Sequence, residues 1–482
     1  MEEKMKTTSV KGRIVLTEIE TKGEELVMPA GVDEIGENVF AENQNLVFVK
    51  LPAGLKVIGR CAFSNCYNLK NIEIPAGVTE IGDFAFWGCI SLENIILPAS
   101  LERIGTCAFN GCRSLREIHV PASVTEIGNN AFGDCASLES AFVEASLENL
   151  ITTFADCPKL NSVTFTGEIA KLTGVFNDCF SLQSLRLPAG MPVLPQYIFN
   201  GFSMLETVVI PEGVIEIGIG AFLNCVNLKN ISLPGGLKTF GDSAFKYCTS
   251  LESIEIPGSV KEISPYCFDG CSNLKEINIP NGVSTIREFA FVSCSGLKTV
   301  HIAGSVKVIC PEAFNFCGQI ETVVMEEGVE EIGYGVFLYS HNIKKLILPE
   351  SLKVIGERAF RGCSALTTFT VPAGVEKISK YAISGCTGLT SITIAEGVTE
   401  IGDNAYERSI KLKSIVIPGS VRKIGKGAFK KCKRLESIEI PESVTEIGAG
   451  AFEGCEALIL KGKVNGMVHQ FAIANNLAFV SE

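Results

Sequence analysis

Apolar residues return to the same places along this chain every 23 residues. In the stretch Leu92-x-x-Ile95-x-Leu97-Pro98-x-x-Leu101-x-x-Ile104-Gly105-x-x-Ala108-Phe109-x-x-Cys112, every fixed residue except Pro98 and Gly105 is of a type that buries well, and the remaining positions are polar or variable. The proline marks the period: Pro29, Pro52, Pro75, Pro98 and Pro121, then Pro188, Pro211, Pro234, Pro257 and Pro280, then Pro349, Pro372, Pro418 and Pro441, with Ala303, Glu326 and Ala395 filling the slot where proline is missing. Glu144 and Thr166 open two shortened units, so 19 unit starts cover residues 24–463. Eight apolar side chains cannot close a core by themselves. Stacked units can, because each coil covers its neighbour and the eight positions become continuous internal ladders.

The pattern inside one unit predicts its elements. Glu93–Leu97 alternates inward Ile95 and Leu97 with outward Asn94 and Ile96, the period of a strand, so each coil is expected to add one strand to a single parallel sheet. Proline ends the pairing and a glycine such as Gly105 permits a tight corner. The following segment, "DFAFWGC" at 83–89, is too short for a lasting α-helix and suits a helical or 3₁₀ turn. The expected fold class is therefore an α/β, β-rich solenoid. Residues 1–28 alternate around Lys22-Gly23 and predict an N-terminal capping hairpin; 29–463 form the repeat body; 464–482 form a C-terminal cap with Met467, Phe471 and Ala474 on one helical face and a last strand over 477–480. Units in 144–187 lack the Ile-Gly corner, and Pro192 and Pro195 follow them. This predicts a disturbance over 144–200 that divides the stack into about six and about twelve units.

The repeat L-x-x-I-x-I-P-x-x-V-x-x-I-G-x-x-A-F-x-x-C resembles the BspA-like, or Treponema pallidum type, leucine-rich repeats over more than nine tenths of the chain. The resemblance implies a right-handed leucine-rich repeat superhelix with a concave parallel sheet and short turns on the convex side. It implies an adhesin-like bacterial or protist surface protein whose partners are other proteins, including host surface or extracellular matrix proteins. A cytoplasmic structural or regulatory scaffold is the alternative. The first residues hold no apolar stretch of signal-peptide length and the last carry no anchoring pattern, which favours that alternative.

Composition changes this picture little. The formal net charge is −12, with both signs interspersed, which predicts no footprint for nucleic acid or an anionic membrane and no inserted segment. Of 19 cysteines, 15 share one slot, from Cys66 to Cys455, with Asn43, Phe202, Ser340 and Ser409 standing in elsewhere. A shared slot is a packing requirement for a small hydrophobe, and free thiols suit a reducing compartment. Cys61, Cys107, Cys267 and Cys310 have no second pair or histidine at zinc-site spacing. His119 and His301 lie eight coils apart in one slot, acidic pairs such as Glu252 and Glu255 read as a solvated face, and no phosphate loop occurs, so no catalytic, metal or cofactor residues are expected and the chain does not read as an enzyme.

Specificity is then expected where packing leaves residues free to vary. The position two before each proline slot carries Ile96, His119, Phe142, Val209, Val324 and Ile347, more apolar than exposure alone favours, and these six are the candidate partner-binding residues of the concave face. The same pattern also has a bland explanation, in which β-branched residues there simply support strand formation. Trp87, the only tryptophan, is either a lone anchor or partly packed.

Overall fold

The computed structural model describes residues 5–21 and 23–481. They form two compact units. The first runs to Ile215 and takes in Cys225–Pro234; the second is Glu216–Asn224 with the chain from Gly235 onward. The boundary therefore falls at 216–234 and not within 144–200. Each unit is a parallel-strand β-solenoid.

In the first unit the long strands form one sheet over Glu25–Val27, Phe48–Lys50 and Asn71–Glu73, and another from Glu117–Val120 to Asn230–Ser232. The second sheet passes without a break through the region of the two shortened units. Each coil also carries a second strand of two residues just before the corner glycine, as at Glu80–Ile81, Arg103–Ile104 and Glu126–Ile127. The sequence pattern predicts only a corner at this place. In the shortened units this short ladder gives way to a separate pair, Leu147–Ile151 with Ile169–Thr173, so the disturbance expected at 144–200 is confined to one side of the coil.

The N-terminal hairpin consists of β1 (Met5–Val10) and β2 (Arg13–Ile19), antiparallel, turning at Lys11 and Gly12, both at positive φ as a two-residue hairpin turn requires. The hairpin expected around Lys22-Gly23 is thus displaced toward the N-terminus, and Lys22 lies outside the described residues. β2 pairs in parallel with Glu34–Ile35, so the hairpin covers the end of the short ladder.

The second unit repeats the plan, with a short ladder from Glu262–Ile263 to Glu446–Ile447 and long-strand sheets over Glu276–Ile279 to Lys345–Ile347 and from Thr368–Val371 onward. It ends with helix α1 (Met467–Ala474) and the strand Ala478–Ser481, which pairs in parallel with Ile459–Gly462. The buried residues of α1 are Val468 and Ala472; of the expected face, Phe471 packs edge-on against Phe452 at 6.1 Å and Met467 is half-buried, whereas Ala474 is exposed.

The eight ladder positions behave as one apolar spine. Leu92, Leu101, Ile104, Ala108, Phe109 and Cys112 are fully buried, and Ile95 and Leu97 nearly so. Phenylalanines stack face to face between coils: Phe63, Phe86, Phe109 and Phe132 lie 5.2–5.3 Å apart with ring planes within 5°. The corner glycine answers to this spacing and not to backbone angle. Gly105 is not left-handed, yet a Cβ there would come within 2.4 Å of the Asp83 nitrogen on the preceding coil.

The turn segments keep the i→i+3 bonds expected of a 3₁₀-like turn but do not propagate as helix. Along residues 84–89 alternate N–H groups bond in two ways: Ala85, Trp87 and Cys89 donate three residues back, whereas Phe84, Phe86 and Gly88 donate to Thr106, Ala108 and Asn110 of the next coil. Phe84 and Gly88 adopt positive φ to make the reversal. The turn row is in this way a third hydrogen-bonded ladder, which satisfies backbone groups that a short helix would leave orphaned.

All nineteen cysteines are free. Each ladder thiol donates to a carbonyl on the preceding coil, Cys66 to Phe40 at 3.0 Å, Cys112 to Phe86 at 3.4 Å, Cys455 to Phe429 at 3.1 Å. Ser340 and Ser409, which take the same slot, are fully buried with hydroxyls that find no partner. The shorter C–O bond keeps the hydroxyl from reaching the carbonyl that sulfur reaches. Since an unpaired buried hydroxyl costs about 1–3 kcal/mol, Ser409→Cys is expected to stabilise the protein by about 1 kcal/mol and Cys432→Ser to destabilise it by about 1–3 kcal/mol, read from urea midpoints at neutral pH in reductant. Loss of stability in Ser409→Cys would contradict this account of the slot.

Candidate functional site

Adjacent side chains on a strand point to opposite faces, and the structure separates them sharply: Ile95 is 8% exposed and Ile96 84%. The candidate slot lies on the outward face of the long strands. His119 and Phe142 are register partners on neighbouring coils, continued by Thr164, Arg186, Val209 and Ser232. The His119 ring meets Phe142 edge-on at 5.2 Å, and its Nε2 lies 3.4 Å from Glu144 Oε1. Ile96, His119 and Phe142 come together around a groove of about 460 Å³, with Ser162 and Thr164 on its far side and Ile95 and Ile118 in its floor.

The groove lies where the sheet is interrupted. The strand expected over Glu93–Leu97 is absent: Asn94 makes one isolated bridge to Asn71, and no backbone hydrogen bond joins residues 94–97 to residues 117–120. The coils part on this face while staying bonded at their corners, where Gly105 donates to Ile81 and Gly128 to Ile104 at 2.8 Å. An opened parallel ladder offers unpaired backbone groups beside an apolar floor, the combination that receives an extended peptide segment.

Three candidate residues stand apart from this groove. Val209, about half exposed, lies between Arg186 and Ser232 and has no apolar neighbour in its slot. Val324 and Ile347 of the second unit are register partners, with Ile347 in the last strand of its sheet and His301 on the other side of Val324. His301 bridges Asn278 at 2.8 Å and Glu326 at 3.2 Å, within reach of a larger and more polar groove of about 630 Å³ lined by Glu255, Glu276, Asn278 and Thr299. Sequence reasoning did not assign that groove; the signal available was His301 in the slot of His119. Trp87 is half exposed on the turn row, away from the groove.

Thiol chemistry is suppressed throughout the spine. Burial pushes the Cys66, Cys225 and Cys317 thiols up to about 12, and the half-buried Cys61 and Cys107 are raised for the same reason. Thiols that stay protonated are slow to oxidise, so free cysteines no longer argue for a reducing compartment. Among the described residues no helix is long and apolar enough to cross a membrane.

Short coils, a repeated apolar spine and an outward strand face define a leucine-rich repeat protein. The chain belongs to the family described as "BspA type leucine rich repeat region", whose model matches residues 33–152, 151–252, 238–367 and 353–463. Proteins of this kind are non-catalytic repeat scaffolds, typically for protein interaction. No curated protein matches in sequence. Among solved structures, a leucine-rich repeat protein of Bacteroides ovatus is 22% identical over 100% of this chain and 98% of its own (TM-score 0.34). A T. pallidum leucine-rich repeat protein is 28% identical over 51% of this chain and 87% of its own (TM-score 0.27). A leucine-rich cell surface protein of Faecalibacterium prausnitzii is 19% identical over 95% and 92% (TM-score 0.27). Family membership rests on the repeat match, not on these superpositions.

Proposed function

We propose that this protein is an adhesin-type scaffold that captures a protein partner through the outward face of its long strands, with the groove at Ile96, His119 and Phe142 as the principal contact. One observation carries the reading: a large aliphatic side chain at 84% exposure stands beside an aromatic pair where the sheet opens. Exposed apolar side chains around a depression favour a partner that buries them, and aromatic anchors dominate such contacts. The alternation of strand faces means that this surface can change without touching the spine.

The test is affinity capture by the full chain from a solubilised extract of host-cell surface and matrix proteins, with captured proteins identified by mass spectrometry. An Ile96→Asp/Phe142→Asp variant is expected to keep the wild-type circular dichroism and melting temperature, because both side chains face outward, and to lose at least about 90% of the captured partner, since losing a central anchor costs about 2 kcal/mol or more. Capture undiminished in a folded variant would remove the groove from the reading.

A further inference from the structure

Charge in the second unit is arranged coil by coil. In the short ladder, Lys377, Glu400, Lys423 and Glu446 follow one another in register, with Lys377 2.8 Å from Glu400 and Lys423 3.1 Å from Glu446. On the turn row Lys430 meets Glu453 at 2.9 Å. Opposite signs on adjacent coils are the rule at these slots, as cross-strand pairing favours.

One place breaks the rule, and it corrects the expectation that charges are interspersed throughout. Between Glu407 and Glu436 the sequence contains ten lysines and arginines and no acid, within a chain of net charge −12. Four of them, Arg408, Lys411, Lys431 and Arg434, fill the same two slots on successive coils: Arg408 is followed 23 residues on by Lys431, and Lys411 by Arg434. The coils touch here, since the Arg408 N–H donates to the Lys430 carbonyl at 2.8 Å. All four side chains are exposed, and none forms an ion pair or side-chain hydrogen bond among the described residues. The flanking coils hold only Gly385 and Gly388 on one side and Gly454 and Ala457 on the other in these slots, while the acids beside the latter pair, Glu453 and Glu456, face Lys430 and Lys433.

Like charges stacked at coil spacing, about 4.8 Å, repel one another unless an anion lies across them. We propose that Arg408, Lys411, Lys431 and Arg434 form a binding site for a linear polysaccharide carrying sulfate or carboxylate groups. Guanidinium groups grip such oxyanions in a bidentate fork, and the ammonium groups add point charges between them. The coil repeat is close to the length of one sugar residue, so anionic groups on successive sugars meet successive coils. No aromatic side chain occupies either slot in these or the flanking coils, which leaves no platform for stacking the bases of a single-stranded nucleic acid. The negative charge of the chain as a whole confines attraction to this patch and disfavours a long duplex.

The experiment measures binding of the intact chain to a fluorescent heparin oligosaccharide at low and moderate salt, against a single-stranded oligothymidylate and poly-glutamate of similar length. Wild type is expected to prefer heparin, with affinity falling as salt rises. An Arg408→Gln/Lys431→Gln/Arg434→Gln variant is expected to bind at least about tenfold more weakly and to show a shallower salt dependence. A Lys344→Gln/Lys377→Gln control removes exposed cations already paired with Glu321 and Glu400 and is expected to change affinity less than about twofold. Absence of heparin binding by wild type, equal losses in the two variants, or tighter binding of the oligonucleotide or polypeptide would each overturn the proposal.

Discussion

Titrating the protein upward from pH 8 is expected to unfold it abruptly above pH 9, over about one pH unit. An unfolded thiol ionises near its ordinary value of 9.0, whereas burial holds Cys66, Cys179, Cys225, Cys317 and Cys386 up to about 12. Above pH 9 the unfolded chain therefore binds fewer protons than the folded one, and stability falls as pH rises. This contribution is fully present below 9 and is lost progressively toward 12. Each such thiol removes about 1.4 kcal/mol per pH unit, so these five alone remove about 7, against a total folding stability of about 5–15 kcal/mol. Cys89, Cys112 and Cys363 are likewise raised well above the ordinary thiol value by the same burial. The check is to follow thiolate ultraviolet absorbance and circular dichroism together: the two should change at the same pH. Thiolate absorbance developing over 9 to 11 in a chain with native dichroism would show that the spine admits charge and that the ladder is not sealed.

The second large effect is expected from the aromatic spine. Phe268→Ala should cost about 3–5 kcal/mol, because it opens a cavity that stacked neighbours on both sides cannot collapse to fill. Phe268 is fully buried, 5.4 Å from Phe245 and 5.1 Å from Phe291 in nearly parallel stacks, and 5.8 Å from Phe240 edge-on. Phe316, 56% exposed on the same unit's turn row, supplies the contrast, with Phe316→Ala expected within about 0.5–1 kcal/mol of wild type. Denaturant midpoints measure both. Equal costs would mean that the stack is not what holds successive coils together.

How much of this could be read beforehand differs from feature to feature. The inward and outward sides of the long strands were legible because side-chain alternation is local, and Ile95 and Ile96 lie as read. The grouping of Ile96, His119 and Phe142 followed from counting slots, since equal spacing along the chain becomes adjacency between coils. The opening of the sheet beside them was not legible, because nothing in "ENIILP" distinguishes a paired strand from an unpaired one; pairing depends on how closely two backbones approach. The same limit hid the short Glu-Ile ladder, whose strands are two residues long and carry too little alternation to register. It also misplaced the hairpin, where Lys11-Gly12 was the true turn and Lys22-Gly23 a similar dipeptide.

By itself the sequence determined the coil: its length, its apolar positions and the residues left free to face outward. These are properties of one period, set by burial and alternation within about twenty residues, and repetition copies them along the chain. Only the tertiary structure decided what happens between coils, namely which carbonyl each thiol meets, why Gly105 has no room for a Cβ, where the sheet opens and where one compact unit gives way to the next. Those outcomes depend on distances of a few tenths of an ångström between backbones 23 residues apart, and a pattern of residue types does not record such distances.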